Sequence, residues 1–179
     1  MRAIYLTGER VYLRAMVEAD KEVAIAWFPG PFPANALSAE EWLKEIHKDA
    51  WNDPPRWYAI VRVADEAVVG SMQLRDRHGR RGVISFHMAP ALAAADTLRA
   101  DALRLVVPWA RDDLELMVLT LTCAVDETET IAAAKELGMT ESARLREFAA
   151  RPGGRVDEVI LEALNAPWRV AETEGTPHA

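Results

Sequence analysis

The sequence predicts an α/β protein built on a mixed central sheet of about seven strands flanked by about four helices. Three observations carry that reading. Segments of period-two alternation or continuous β-branched character alternate with segments of helical period along the 179 residues. Three consecutive strand-like segments are joined by short polar connections, the mark of an antiparallel meander. One apolar, β-branched segment, residues 117–125, lies between two helical ones, the setting of a strand buried on both faces.

In chain order, Val11-Tyr12-Leu13-Arg14-Ala15 alternates as a strand. Residues 17–28 carry Val23, Ala24, Trp27 and Phe28 on one helical face. Three prolines in residues 29–33 stop that helix. Ser38, with Glu41 three residues on, forms a capping box for a second helix with an apolar line through Trp42, Leu43 and Ile46, which Asp53-Pro54-Pro55 ends. Strands follow at 57–63, 67–74 and 82–88. Asp96 or Thr97 caps a long helix reaching about Leu114, and Pro108 is expected to kink it by removing the backbone bond to Arg104. After the strand at 117–125 comes a short helix at 129–137, which Gly138 closes at C′. Two last strands, 143–150 and 156–163, flank a Pro152-Gly153-Gly154 turn. The order is βααβββαβαββ, read as one domain over residues 1–168 with a flexible tail at 169–179; the stretch after Asn165 is polar, with Trp168 as its anchor.

Half the residues are apolar and 27% are charged, which excludes a disordered chain. The net charge of −7 arises entirely in the second half of the chain, which argues against nucleic acid or an anionic membrane as partner. Cys123 is the only cysteine, so no internal disulfide forms, and no metal-ligand spacing surrounds it. Charges interrupt the first 25 residues, and no later window approaches 18 apolar residues. The expected compartment is the cytoplasm.

Several short words carry a resemblance. They are Gly8-Glu9-Arg10-Val11-Tyr12-Leu13-Arg14, Val69-Gly70-Ser71, Leu137-Gly138-Met139-Thr140-Glu141, Leu145-Arg146-Glu147 and Gly154-Arg155-Val156-Asp157. In this order, across residues 7–168, they resemble the GNAT superfamily, the Gcn5-related N-acetyltransferase fold, and within it the branch that acetylates the N-termini of ribosomal proteins. The resemblance implies acetyl-CoA in a V-shaped gap between the strand ending at Met88 and the strand at 117–125. It sets the pyrophosphate on the helix start at Ala94, Ala95, Asp96, Thr97, Leu98 and Arg99, where unpaired amides and the helix dipole favour an anion.

Against the family's glycine-rich loop, this chain reads Pro90-Ala91-Leu92-Ala93-Ala94-Ala95-Asp96, and no glycine occurs between Gly82 and Gly138. Alanine methyls would narrow the cradle. Asp96 would place a carboxylate among phosphate oxygens, a repulsion of about 1 to 4 kcal/mol. Residues 91–137 hold four basic and nine acidic residues. The family's asparagine falls near Asp126 or Glu127, and no tyrosine follows Tyr58 to protonate a departing thiolate.

His87 lies on the strand that carries the acetyl group in the resembled fold, where an imidazole could deprotonate an amine, against the plainer reading of a packed histidine. Ser85 shares its face. Cys123 near the end of the central strand reads mainly as core. Trp27, Phe28 and Trp57 belong to seven aromatics within 32 residues, either an acceptor wall or a core for the helix pair. Arg75, Arg77, Arg80, Arg81 and His78 make a basic hairpin loop, and Glu141, Arg146 and Asp157 read as structural ion pairs.

Two readings stay open. The first is a GNAT N-acyltransferase acting on a primary amine of a peptide N-terminus or small molecule, with His87 as base and strand amides near Met88 polarising the carbonyl. The second is a non-catalytic GNAT-fold protein that has lost its acetyl-CoA loop and binds a small ligand or protein partner, with a homodimer as one form.

Overall fold

The computed structural model describes residues 4–29, 35–48, 56–77 and 80–165. The strands are β1 (Ile4–Thr7), β2 (Val11–Ala15), β3 (Arg56–Arg62), β4 (Val68–Arg77), β5 (Arg81–Met88), β6 (Val118–Ala124), β7 (Thr140–Arg151) and β8 (Gly154–Leu164). They form one sheet in the order β1-β2-β3-β4-β5-β6-β8-β7. The helical elements are a 3₁₀ segment (Glu18–Ala26), α1 (Ala36–Lys48), α2 (Ala95–Asp112) and α3 (Thr128–Glu136). Neighbouring strands are antiparallel except β5 and β6. A parallel neighbour needs a crossover, and α2 supplies it.

The α/β class and the mixed sheet are as the sequence predicts, with eight strands in place of seven. The addition is β1, four residues that pair with β2 across the Gly8 turn and are too short to show a period. Three predicted helix details change. Residues 18–26 coil as 3₁₀ with a break at Val23, because Asp20 is engaged by Arg14 and its carbonyl by the Trp27 indole. Asn35, not Ser38, begins α1: its Oδ1 accepts the Ser38 amide at 2.9 Å. Neither Asp96 nor Thr97 caps α2, whose N-cap is Ala94 without a side-chain bond, and α2 continues through Pro108 to Asp112. Phe32, Trp51, the Asp53-Pro54-Pro55 stop, His78, Trp168 and the tail lie outside the described residues.

Two apolar clusters sandwich the first half of the sheet. On one side α2 and α3 cover Leu13, Ile60, Met72, Ile84, Leu121 and Leu161. On the other, the 3₁₀ segment and α1 bury Trp27, Phe28 and Leu43 against Tyr12, Ala59 and Val61. That second covering stops near β4. Beyond it the same face is open, with Ser85, Thr122 and Ala143 exposed.

The short sequence words have physical causes. A Cβ on Gly70 would lie 2.5 Å from the His87 carbonyl and 2.8 Å from Met88 Sδ, so glycine lets β4 approach the end of β5. Gly138, at φ +85°, follows α3 in a Schellman closure: its amide bonds the Lys135 carbonyl and that of Met139 bonds Ala134. Arg155 donates to the Glu147 and Phe148 carbonyls, and Asp157 accepts the Glu147 amide, holding a bulge in β7 where Glu147 sits at φ +48°. Arg144 pairs with Glu141 and Asp157, the ion pairs expected there apart from Arg146.

Candidate active site

The site begins where a ladder ends. β5 and β6 pair from Arg81↔Val118 to Ile84↔Leu121 and no further, although β5 continues to Met88 and β6 to Ala124. The Ala89 amide bonds the Val69 carbonyl of β4. By strand alternation the amides of His87 and Ser85 also face β4, so those of Phe86 and Met88 face the unpaired side toward β6. Two backbone donors therefore line a gap that no strand closes.

The loop that leads from the end of β5 to α2 carries further unpaired donors. Ala91 holds φ +57°, a left-handed conformation that costs a non-glycine residue about 1 to 2 kcal/mol. The Leu92 amide bonds Ala89, that of Ala95 bonds Leu92 and that of Leu98 bonds Ala94. Among the described residues, the amides of Ala93, Ala94, Asp96 and Thr97 have no acceptor. This is the ordinary orphan set of a helix start, with its dipole favouring an anion.

Asp96 does not occupy that cradle. Its carboxylate accepts the Glu129 amide at 2.8 Å, the Thr130 amide at 3.1 Å and the Thr130 hydroxyl at 2.6 Å, thereby capping α3 from 33 residues away. The α3 N-cap residue, Glu127, makes no side-chain cap bond of its own. The expected repulsion between Asp96 and a phosphate is thus corrected: the acid is consumed at a neighbouring helix start. Much of the acidity of segment 91–137 is likewise met by arginines. Three of them come from outside it: Arg10 on Asp101, Arg80 on Glu115 and Arg151 on Asp126 and Glu127.

Arg99, one turn into α2, lies 2.6 Å from Glu127, with side chains 14% and 20% exposed. Its Nε and Nη1 are buried without a hydrogen-bond acceptor, so the contact is a charge pairing without alignment. Burial, and then the Arg99 charge, push the His87 pKa below its ordinary value. Burial and then Glu127 push the Cys123 thiol up to about 12, which keeps it protonated and unreactive at neutral pH. Among the described residues, no group of three or more His, Cys, Asp and Glu gathers as a metal site, and no helix is long and apolar enough to cross a membrane.

Comparison with known proteins gives this geometry a family. Residues 10–140 match the GNAT acetyltransferase domain. A Sphaerobacter thermophilus protein assigned as an acetyltransferase shares 48% identity with a TM-score of 0.72, over 93% of this chain and 99% of that one. This chain belongs to the GNAT acetyltransferase family. Two further structures share the fold at lower identity. The ribosomal-protein-S5-alanine acetyltransferase of Vibrio fischeri is 10% identical with a TM-score of 0.70, over 93% of this chain and 98% of that one. The dodecameric spermidine N-acetyltransferase of Vibrio cholerae is 20% identical with a TM-score of 0.63, over 92% and 99%. No curated protein matches.

In this GNAT fold the sequence-predicted site residues fall into three groups. Met88, Ala94, Asp96 and Thr97 contribute backbone donors to the gap and the α2 start. Leu98 does not, since its side chain is core and its amide is spent on Ala94, and the Ala95 amide is spent on Leu92. His87 and Ser85 sit together on the open face: register aligns Ala59, Ser71 and His87 in one row, and Trp57, Gln73 and Ser85 in the next. Trp27 is fully buried and its indole donates to the Asp20 carbonyl, so it backs the wall while Trp57, stacked edge-on to Trp42, stands partly open. Cys123 is buried in the α2-side core, behind the sheet.

Sequence reasoning passed over three contributors. The Phe86 amide becomes visible only once strand register is known. Glu158 and Glu162 of β8 alternate with the buried Val159 and Leu161, so they share the open face with Thr122. Period-two counting from those two apolar residues would have found them. A cavity of about 290 Å³ lies at the other end of β6, between Val107, Arg111, Leu119, Leu137 and Ala163, away from these groups.

Proposed function

We propose that this chain is an N-acyltransferase that transfers an acetyl group from acetyl-CoA to a primary amine of a peptide N-terminus or small molecule. The observation that carries this is the presence of two unpaired donor sets on consecutive elements, the Phe86 and Met88 amides in the parted β5–β6 gap and the free amides of Ala93, Ala94, Asp96 and Thr97 at the start of α2. Bound acetyl-CoA supplies an activated thioester. The α2 amides suit its diphosphate, and no carboxylate of Asp96 opposes them. The amides at the end of β5 are placed to donate to a carbonyl oxygen and to strengthen as charge develops on it.

The acceptor nitrogen must lose a proton as it takes the acyl group from sulfur. His87, half-buried on the open face and held neutral by its surroundings, is the base we assign, acting directly or through one water. The open face favours a cationic acceptor: Glu158 and Glu162 of β8, two strands from β5, lie on it. Of two fold neighbours, one is named for spermidine, which carries primary amines, and the other for an alanine of a ribosomal protein. We place the reaction in the cytoplasm, where Cys123 remains a free thiol.

The glycine-free loop favours the alternative, a non-catalytic binding protein built on the same fold. One assay separates them. Release of free CoA thiol from acetyl-CoA in the presence of a panel of peptide and small-molecule primary amines, exceeding hydrolysis without amine, is the expected result. Thiol release that no amine accelerates would favour the alternative.

A further inference from the structure

The two partners of the Arg99–Glu127 contact are unequally served. Glu127 Oε1 accepts Arg151 Nη2 at 3.1 Å, and Oε2 accepts the Ala124 amide at 3.3 Å in addition to lying 2.6 Å from Arg99. Arg151 itself is anchored by two bonds to Asp126, at 2.8 and 2.9 Å. If Arg99 left, Glu127 would keep a cation and a backbone donor. Arg99 has the opposite situation: its Nη1 touches the carboxylate without aligned hydrogen bonds, and its Nε is buried with no acceptor at all. An unsatisfied buried donor is a standing cost, and a charged donor seeks an anion. Arg99 lies one turn into the helix whose Asp96 and Thr97 amides are also free, so an anion held there lies within reach of an arginine side chain.

We propose that Arg99 is an exchangeable phosphate anchor: on binding of the acyl donor it leaves Glu127 for a phosphate oxygen, and Glu127 is retained by Arg151 and the Ala124 amide. The exchange moves no proton and breaks no covalent bond. It replaces one ion pair by another with better alignment, since a guanidinium and a phosphate match as paired donors and acceptors. It also gives this loop, with its alanines, a charged ligand in place of the close backbone approach that glycines allow. Glu127 then acts as a competitor for the cofactor's phosphate, setting affinity from within the site.

The proposal rests on the acetyl-CoA reading, and calorimetric titration with CoA, which undergoes no turnover, separates the two. Wild type, Arg99→Met, Arg99→Lys and Glu127→Gln are compared at two salt concentrations. The expected result is about tenfold or more weaker binding for Arg99→Met with a shallower salt dependence, an intermediate loss for Arg99→Lys, and severalfold tighter binding for Glu127→Gln. Thermal melts of each variant verify folding. Equal affinities in wild type and Arg99→Met overturn the anchor and leave the functional reading intact. Glu127→Gln weakening binding as much as Arg99→Met also overturns it, because the pair would then be a structural clasp. No binding by wild type at millimolar CoA overturns the functional reading and the anchor together.

Discussion

Two arginine–carboxylate pairs in this molecule each leave a buried Nε without an acceptor and differ in alignment and exposure. Arg14 and Asp20, under the 3₁₀ segment, are 1% and 3% exposed. Both guanidinium nitrogens reach Asp20, at 2.7 and 2.8 Å, one also reaches the Ala15 carbonyl, and Asp20 accepts the Val17 amide as well. Arg99 and Glu127 meet at one unaligned contact in a partly open cleft, and the carboxylate is shared. A closed pair whose two terminal guanidinium nitrogens are both aligned on the carboxylate, with only Arg14 Nε left without an acceptor, holds the chain in one shape. An open pair with orphan donors is held in readiness for something else.

Breaking the closed pair should have the largest effect. Asp20→Asn or Arg14→Met leaves a buried charge or donor uncompensated, and the expected loss is about 3 to 5 kcal/mol, read from the urea midpoint. His87→Ala comes next, with kcat/KM for the best amine lowered about 100-fold while CoA affinity holds. The same residue gives a pH signature. Its imidazole is the base only when deprotonated, and burial and then the Arg99 charge hold its pKa below the usual 6.5, so activity should rise with pH with its midpoint below 6.5. In the window between the folded value and 6.5 the unfolded chain binds the proton more readily. Stability should therefore fall as the pH drops through it. A midpoint well above pH 6.5 would remove His87 as the free base.

Asp96→Ala sharpens the contrast from the other direction. It removes the cap of α3, with an expected cost of about 1 kcal/mol in the thermal or urea midpoint, yet CoA binding should not weaken, because the carboxylate points away from the α2 amides. Glu127→Gln should have the smallest effect on stability, under about 1 kcal/mol, since Arg151 keeps its bonds to Asp126. A loss as large as that of Asp20→Asn would mean that the open pair is no more open than the closed one.

What the sequence could reveal followed the range of each interaction. Gly138, three residues from the carbonyl its own amide bonds, was readable as a helix closure, and so were the hairpin around Gly153-Gly154 and the crossover through α2. The direction of Asp96 was not, because its partners are 33 and 34 residues away and nothing local announces that a residue in one helix caps another. The same holds for the acidic balance of residues 91–137. Read along the chain it opposes an anionic ligand; folded, Arg10, Arg80 and Arg151 approach its carboxylates from distant strands and loops. β1 escaped notice for a different reason, since four residues cannot display a period.

The central claim is that the open end of β5 and β6 and the free start of α2 bind a CoA thioester without a glycine in the loop. Titration of the wild-type chain with CoA, followed by calorimetry and by the shift of its thermal midpoint, tests it most directly. The account predicts saturable binding in the micromolar range with a midpoint that rises with ligand concentration. A flat midpoint and no heat at millimolar CoA would contradict it.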